Sequence, residues 1–151
     1  MEEDAGMFRK AFVVAAIGIL TTGCAGRAPD CSALNIKVTV VQLAKQRVAQ
    51  QVAGNPAMRM FFNPASSQYQ LNGIRTVEGN RNSCSCKASL NIAFDFTDDV
   101  KRWKDTKPED WAKVSSSPVV AGMAREIDLD VTYHVERTDD GKDFYVTLEG
   151  L

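Results

Sequence analysis

The chain has 151 residues, a formal net charge of -1 and 44% hydrophobic residues, a length and composition typical of one small folded domain. Its 18 Lys and Arg residues are interleaved with 19 Asp and Glu residues, whereas binding to nucleic-acid phosphates requires clustered basic residues. We therefore expect no nucleic-acid partner.

A short apolar segment stands near the N-terminus, directly after two basic residues. Arg9 and Lys10 precede an apolar run over residues 11–20. A helix of that length measures about 15 Å, half of the roughly 30 Å hydrocarbon core of a bilayer, so it is too short to span a membrane. Basic residues followed by such a run are typical of a signal peptide. Because the acidic residues 2–4 are unusual in front of one, Met7 is an alternative start.

The residues after this run carry a known signature. Leu20-Thr-Thr-Gly-Cys24 resembles the lipobox of bacterial lipoproteins, although Thr21 stands where leucine is commoner. The resemblance implies that residues 1–23 are removed and that Cys24 carries diacylglycerol and an acylated amine, an anchor of two or three chains that holds durably to a membrane. Since Ala25 is not aspartate, it implies the outer membrane, with the domain facing the periplasm. The alternative is an ordinary secretory signal in which Cys24 is incidental.

The chain beyond Cys24 divides into a tether and a domain. Residues 24–30 are mostly small and turn-prone, which suits a lipidated tether, and residues 31–151 form a single predicted domain. Three thiols remain there, an odd number for an oxidising compartment. We expect a disulfide from Cys31 to Cys86, with Cys84 as the alternative partner, and the third thiol either free and buried or bonded to another chain. Closing such a loop contributes about 4 kcal/mol.

Two other uses of these cysteines are less favoured. Cys84 and Cys86 lie two residues apart, about 6.6–6.8 Å in a strand with parallel Cβ vectors, which is at the edge of disulfide geometry. Zinc sites usually use a Cys-x2-Cys spacing, and only His134 could assist here. We therefore expect no metal site.

A long amphipathic helix is predicted from residue 34 to residue 52. Apolar residues recur there at intervals of three, four and seven, the period of one helix face, and Gly54-Asn55-Pro56 ends the helix. This face is predicted to pack on the core through Leu34, Val38, Val41, Val48 and Val52.

The next segments are less regular. Residues 57–62 are apolar and fit either a short helix or a strand, and residues 63–67 are predicted to form a loop. A strand follows over residues 69–79, with a bulge at Gly73. Its expected core residues are Leu71 and Ile74.

The clearest element spans residues 83–96. Alternation of apolar and polar residues over its whole length predicts a strand with one wet face. The inward positions are Cys84, Cys86, Ala88, Leu90, Ile92, Phe94 and Phe96.

An insertion over residues 97–117 follows. Pro108 to Val114 has a proline and two acidic residues in its first turn, which predicts a short helix. Trp103 and Trp111 either cap the edge of the core or form an exposed binding patch.

Two further strands complete the domain. Residues 126–136 alternate again, Asp139-Asp140-Gly141-Lys142 predicts a hairpin turn, and residues 143–151 form the last strand. The predicted fold class is α+β, with one long N-terminal helix packed on an antiparallel sheet of about four strands. The order of elements is similar to cystatin-like or NTF2-like cones, an analogy of fold that carries no function.

No group of residues predicts catalysis. His134 is expected on the solvated sheet face without a partnered nucleophile. Glu126, Asp128 and Asp130 share one strand face, which a wet sheet surface explains without a metal or acid–base role. The sequence has no phosphate-binding glycine loop, no Gly-x-Ser-x-Gly and no His-Glu-x-x-His. We expect neither an enzyme nor a cofactor.

Two functions remain. The first is a membrane-anchored envelope lipoprotein whose non-catalytic domain binds an envelope protein, as an inhibitor, an immunity or exclusion factor or an accessory part of an envelope assembly. The alternative is a carrier or sensor of a small apolar ligand held between helix and sheet.

Overall fold

One long helix packs on a curled antiparallel sheet. The computed structural model describes residues 14–15, 28–123 and 126–151. The helices are α1 (Leu34–Gly54), α2 (Pro56–Phe61), α3 (Asp98–Thr106), α4 (Pro108–Ser115) and α5 (Pro118–Met123). The strands are β1 (Val14–Ala15), β2 (Phe62–Gly79), β3 (Ser83–Phe96), β4 (Ile127–Arg137) and β5 (Phe144–Glu149). The predicted α+β class is confirmed.

The sheet has the order β1-β5-β4-β3-β2, and every neighbouring pair is antiparallel. A tight turn joins β2 to β3, where the Asn80 side chain accepts hydrogen bonds from the backbone N–H groups of Asn82 and Ser83 at 2.8 and 2.9 Å. The chain leaves β3 for the helical insertion α3–α5 and returns as β4, which pairs with β3 on the side away from β2. The two longest strands therefore lie side by side, with β2 at one edge of the sheet and β3 between β2 and β4.

Strand β3 has the bounds that its alternation predicts. Its even-numbered residues from Cys84 to Ile92 are buried and its odd-numbered ones are partly or fully exposed, while Phe94 and Phe96 are half-buried. Strand β4 behaves in the same way, with Val131, Tyr133 and Val135 buried. A period of two in the sequence thus gives one dry and one wet sheet face.

Strand β2 is longer and less regular than its sequence predicts. The expected loop over residues 63–67 lies within the strand, as a register shift between Asn63 and Gln68. The buried Ser67 hydroxyl donates to the Asn63 carbonyl at 2.8 Å and accepts from the Asp95 N–H at 3.0 Å, so a side chain replaces part of the missing ladder. The expected bulge is confirmed at Gly73, whose φ of 59° suits glycine.

In its first half, helix α1 packs on the sheet through a different face from the predicted one, whereas Val48 and Val52 are buried as predicted. Leu34 is 78% exposed, Val38 is 52% exposed and Val41 is only partly buried. The first half of the helix therefore has two apolar stripes, and the one predicted to be buried faces outward. The buried residues of α1 are Ile36, Thr39, Val40, Leu43, Ala44, Val48 and Val52.

The short helices begin where capping residues allow. Asn55 ends α1 and caps α2 by accepting from the N–H groups of Ala57 and Met58, and Thr97 caps α3 through its hydroxyl. The predicted helix after Pro108 is confirmed as α4. Helices α3 and α5 were not predicted, because each is short and α3 is mostly polar.

The described residues form one core between α1 and the sheet. Its buried members are Cys31 and residues of α1, β3, β4 and β5, and half-buried Leu71 and Ile74 of β2 pack against it as expected. The largest of them are Tyr133, Leu90, Ile92, Leu148, Val40, Val131, Val135 and Val146.

Candidate functional site

A disulfide joins the segment before α1 to the centre of the sheet. Cys31 is bonded to Cys86 of β3 with a Cα–Cα distance of 6.0 Å, which confirms the favoured pairing. Cys84 is a free thiol and only 3% exposed. Of the two outcomes expected for the third cysteine, the structure shows the buried free thiol.

The free thiol lies against the disulfide. Cys84 Sγ is 3.5 Å from Cys31 Sγ and 3.6 Å from Cys86 Sγ, and we refer to these three residues as the sulfur cluster. Because the two distances are nearly equal, Cys84 lies beside the bond and not on its axis, where a thiolate must approach to exchange. Burial raises the pKa of the Cys84 thiol, and the nearby Asp30 carboxylate raises this pKa further. The thiol is therefore protonated and poorly placed for exchange.

Register places three strands around Cys31. Thr76, Cys86 and Tyr133 stand in one row across β2, β3 and β4. The Thr76 hydroxyl donates to Cys31 Sγ at 3.2 Å, and the Tyr133 hydroxyl donates to the Cys31 carbonyl at 2.8 Å. Burial is the main cause that raises the pKa of Tyr133 to about 12. Cys31 is thus held by one covalent bond and two hydrogen bonds.

The two tryptophans belong to an aromatic cluster at the end of β3. Trp103 and Trp111 are half-buried and contact each other edge to face at 5.8 Å between ring centroids. Trp111 also meets Phe96 edge to face at 5.3 Å, and Phe96 stacks on Phe62 at 5.6 Å. The rings join the insertion to the sheet, which is the capping role expected for them. Their partly exposed edges keep a binding role open.

Two exposed aliphatic side chains of α1 and a third that is partly buried form a surface feature. Leu34, Val38 and Val41, here called the α1 outer stripe, recur at helical spacing on the side of α1 away from the core. A shallow depression of about 240 Å³ lies beside it, lined by α1 and by Leu71 of β2. The same spacing in the sequence predicted a buried face, so only the fold shows that these residues face outward.

A larger groove runs between the other half of α1 and the C-terminus. Its volume is about 420 Å³, and its apolar floor consists of Leu43, Leu148 and Leu151. Four of its seven lining residues are polar and come from α1: Gln46, Arg47, Gln50 and Gln51.

His134 lies on the wet sheet face, as expected. Its Nε2 atom is 3.8 Å from a carboxylate oxygen of Glu149, which is longer than a hydrogen bond. Ser85 stands opposite His134 in the β3–β4 register, a neighbour that the sequence did not predict. The three residues lie on an open sheet face and do not form the hydrogen-bonded chain that activates a serine.

Glu126, which precedes β4, and the acidic residues Asp128 and Asp130 of β4 also lie in solvent. Asn91 of β3 donates to Asp128 at 3.0 Å and to Glu126 at 3.4 Å across the strands, and Asp130 is exposed. Cross-strand amide contacts of this kind suit a solvated sheet face.

The proposed lipidation residue, Cys24, lies outside the described residues, as does the lipobox-like segment. Among the described residues, no helix combines the length and the apolar character needed to cross a bilayer. No family model, no curated protein and no solved structure matches the chain.

Proposed function

We propose that this protein is a lipid-anchored component of a bacterial cell envelope whose domain binds another envelope protein without catalysis. The observation that supports it best is the buried disulfide between Cys31 and Cys86, seven residues after the proposed lipidated Cys24. Disulfides persist in oxidising compartments such as the periplasm, and a lipobox delivers a protein to that compartment.

The proposed anchor is the diacylglycerol on Cys24, on the periplasmic face of the outer membrane. Residues 25–30 separate it from Cys31, where the domain begins. A fully extended chain spans about 3.3–3.6 Å per residue, so these residues reach roughly 20 Å. The domain is therefore proposed to work close to the membrane surface.

The surface proposed to bind the partner is the α1 outer stripe. Leu34 and Val38 are exposed aliphatic residues one helical turn apart, and a shallow depression beside them can accept a side chain from a partner. Anchoring residues at i, i+4 and i+7 are the pattern by which a helix binds an apolar surface. A second candidate surface is the aromatic pair Trp103 and Trp111.

The anchor is tested by replacing Cys24 with serine in the full chain and following membrane fractionation and the mass of the mature protein. Wild type is expected in the membrane fraction with an acyl mass at its N-terminus, and Cys24→Ser is expected without that mass. Cys84→Ser is the matched control, because it also removes a thiol but lies outside the lipobox. Unchanged processing and fractionation of Cys24→Ser would refute the anchor.

The binding surface is tested with a photoactivatable residue at position 34 or 38 of the anchored protein. We expect crosslinks to one envelope protein, and loss of these crosslinks in a chain that also carries Val41→Ser. Position 77 of β2, where the natural valine is 49% exposed, is the control. Crosslinks of equal yield at all three positions, or none at 34 and 38, would contradict the surface.

The carrier of a small apolar ligand remains the second candidate. The groove between α1 and the C-terminus has a volume in the range of small-molecule pockets. It supports this function less strongly, because its rim is polar and the space between α1 and the sheet is filled by buried side chains. Extraction of the purified protein with organic solvent should release a bound apolar molecule if the carrier function is correct.

A further inference from the structure

We propose that the sulfur cluster is a binding site for one thiophilic metal ion in the reduced protein, with Cys31, Cys84 and Cys86 each supplying one thiolate. The three sulfur atoms lie within 4.8 Å of one another and all three residues are buried. Thiolates select soft or borderline ions, so the site is assigned to the Zn²⁺ and Cd²⁺ class. This inference does not depend on lipidation of Cys24.

The spacing of the sulfurs fits a shared ion. A zinc–thiolate bond measures about 2.3 Å, so sulfurs on one ion lie roughly 3.8–4.0 Å apart. Cys84 Sγ already lies 3.5 and 3.6 Å from the other two sulfurs. These two separations have to increase by only a few tenths of an ångström. The large increase is between Cys31 and Cys86, and breaking their bond removes the constraint that holds these sulfurs close.

The fold supplies the third ligand that the local sequence lacks. A Cys-x-Cys pair alone is a poor zinc motif, but β3 directs Cys84 and Cys86 to the same dry face, and the chain before α1 brings Cys31 onto them. His134 lies on the opposite face of the sheet and contributes nothing. The Thr76 hydroxyl, 3.2 Å from Cys31 Sγ, is placed to stabilise a thiolate there.

Metal and disulfide exclude each other. The Cys31–Cys86 bond must first be reduced with two electrons, for example by a trialkylphosphine, which becomes the phosphine oxide with oxygen from water while each sulfur gains a proton. The ion then displaces the protons of the three thiols into solvent. In an oxidising compartment the disulfide form prevails, so the site is open only after reduction or before oxidation.

The test is anaerobic titration of the full chain with Cd²⁺ after phosphine reduction, followed by ultraviolet cadmium–thiolate absorption and by mass spectrometry under native conditions. Reduced wild type is expected to bind one ion per chain, and the oxidised protein to bind none. Reduced Cys84→Ala should bind at least about tenfold more weakly, because loss of a direct ligand costs no less than loss of an outer-shell partner. Reduced His134→Ala should bind as wild type does.

Two outcomes would overturn the site. One is the absence of Cd²⁺ binding by the reduced wild type, and the other is equal affinity in wild type and Cys84→Ala. Because an unfolded reduced chain could also bind Cd²⁺ through its thiols, the titration is repeated in urea. Affinity in urea equal to that in buffer would show binding without a preformed cluster, which also contradicts the proposal.

Discussion

The hydroxyl of Tyr133 donates a 2.8 Å hydrogen bond to the backbone carbonyl of Cys31, across 102 residues of sequence. Tyr133 is fully buried in β4, directly opposite Cys86 in the β3–β4 register. The Cys31 carbonyl therefore accepts a hydrogen bond from β4, while the Cys31 side chain is bonded to the neighbouring strand β3. The segment before α1 is fixed through both its side chain and its backbone.

Tyr133→Phe should lower the free energy of unfolding by about 1–3 kcal/mol, because it leaves a buried carbonyl without its donor. Urea unfolding measures the change. Tyr145→Phe is the control, since Tyr145 is 42% exposed and its substitution should stay within about 0.5 kcal/mol. Equal effects of the two substitutions would show that the hydrogen bond contributes nothing.

Cys31→Ala should lower the free energy of unfolding by about 4 kcal/mol under oxidising conditions, because it removes the link that closes the long loop from Cys31, ahead of α1, to Cys86 of β3. Cys84→Ala should retain the disulfide and lose far less stability. Unfolding curves together with peptide mass mapping distinguish the two. A loss from Cys84→Ala as large as that from Cys31→Ala would contradict the pairing.

Cys86→Ala should lower the free energy of unfolding much less than Cys31→Ala does, because a new disulfide can form between Cys31 and Cys84. The two sulfurs already lie 3.5 Å apart, and glutathione disulfide can supply the oxidation. Peptide mapping of the refolded variant should find residues 31 and 84 linked. Free thiols at both positions after oxidation would show that the cluster cannot rearrange.

Val40→Ala and Val38→Ala test which stripe of α1 faces the core. Val40 is fully buried, so its truncation should cost about 2 kcal/mol, since each buried methylene contributes about 0.8 kcal/mol and a cavity remains. Val38→Ala should stay within about 0.5 kcal/mol. The change in helix propensity is the same in both variants, so denaturant unfolding reports burial alone. A larger loss of stability from Val38→Ala than from Val40→Ala would show that the face predicted from the sequence is the buried one.

The contact between Asp95 and Lys101 makes stability depend on pH. Lys101 Nζ lies 2.7 Å from an Asp95 oxygen, and this hydrogen bond is the main cause that lowers the pKa of Asp95. Because the pKa is lower in the folded state, the stabilisation is present above the ordinary pKa of aspartate and is lost as pH falls through the folded-state value. Lys101→Met should raise the pKa of Asp95 measured by NMR.

Lys104→Met is the control for that titration, since it removes the same charge from an exposed position of the same helix. It should leave the pKa of Asp95 nearly unchanged. If both variants raise this pKa equally, net charge and not the direct contact is responsible.

The strands were predictable where one face is dry. Alternation alone gave the bounds of β3 and the inward residues of β4, because a period of two leaves no other register. Strand β2 lacks this pattern around residues 63–67, where the Ser67 side chain substitutes for ladder hydrogen bonds. No local signal marks such a substitution.

The packed face of α1 could not be chosen from the helix alone. Ile36, Val40 and Leu43 recur at the same helical spacing as Leu34, Val38 and Val41, so the amphipathic pattern has two solutions. Which stripe is buried depends on the position and direction of the chain just before α1. The bond from Cys31 to Cys86 of β3 fixes that segment. The choice is a tertiary effect.

The candidate site was predicted in part. A bond from Cys31 to Cys86 or Cys84 was expected from strand geometry and loop closure, which do not choose between the two cysteines. The contact of Cys84 with both sulfurs depends on the approach of Cys31 from above the sheet. The position of Ser85 opposite His134 depends on the β3–β4 register, which no residue spacing reveals.

The disulfide also determines how the domain responds to mechanical force. Tension on the chain ahead of Cys31 passes covalently into β3, which is hydrogen-bonded on both sides to β2 and β4. Helix α1 begins after this junction and is bypassed by the load. Force applied from the N-terminal side is therefore carried by β3 and its hydrogen-bonded neighbours. Reduction of the Cys31–Cys86 disulfide would transfer this force to α1 and pull the helix away from the sheet.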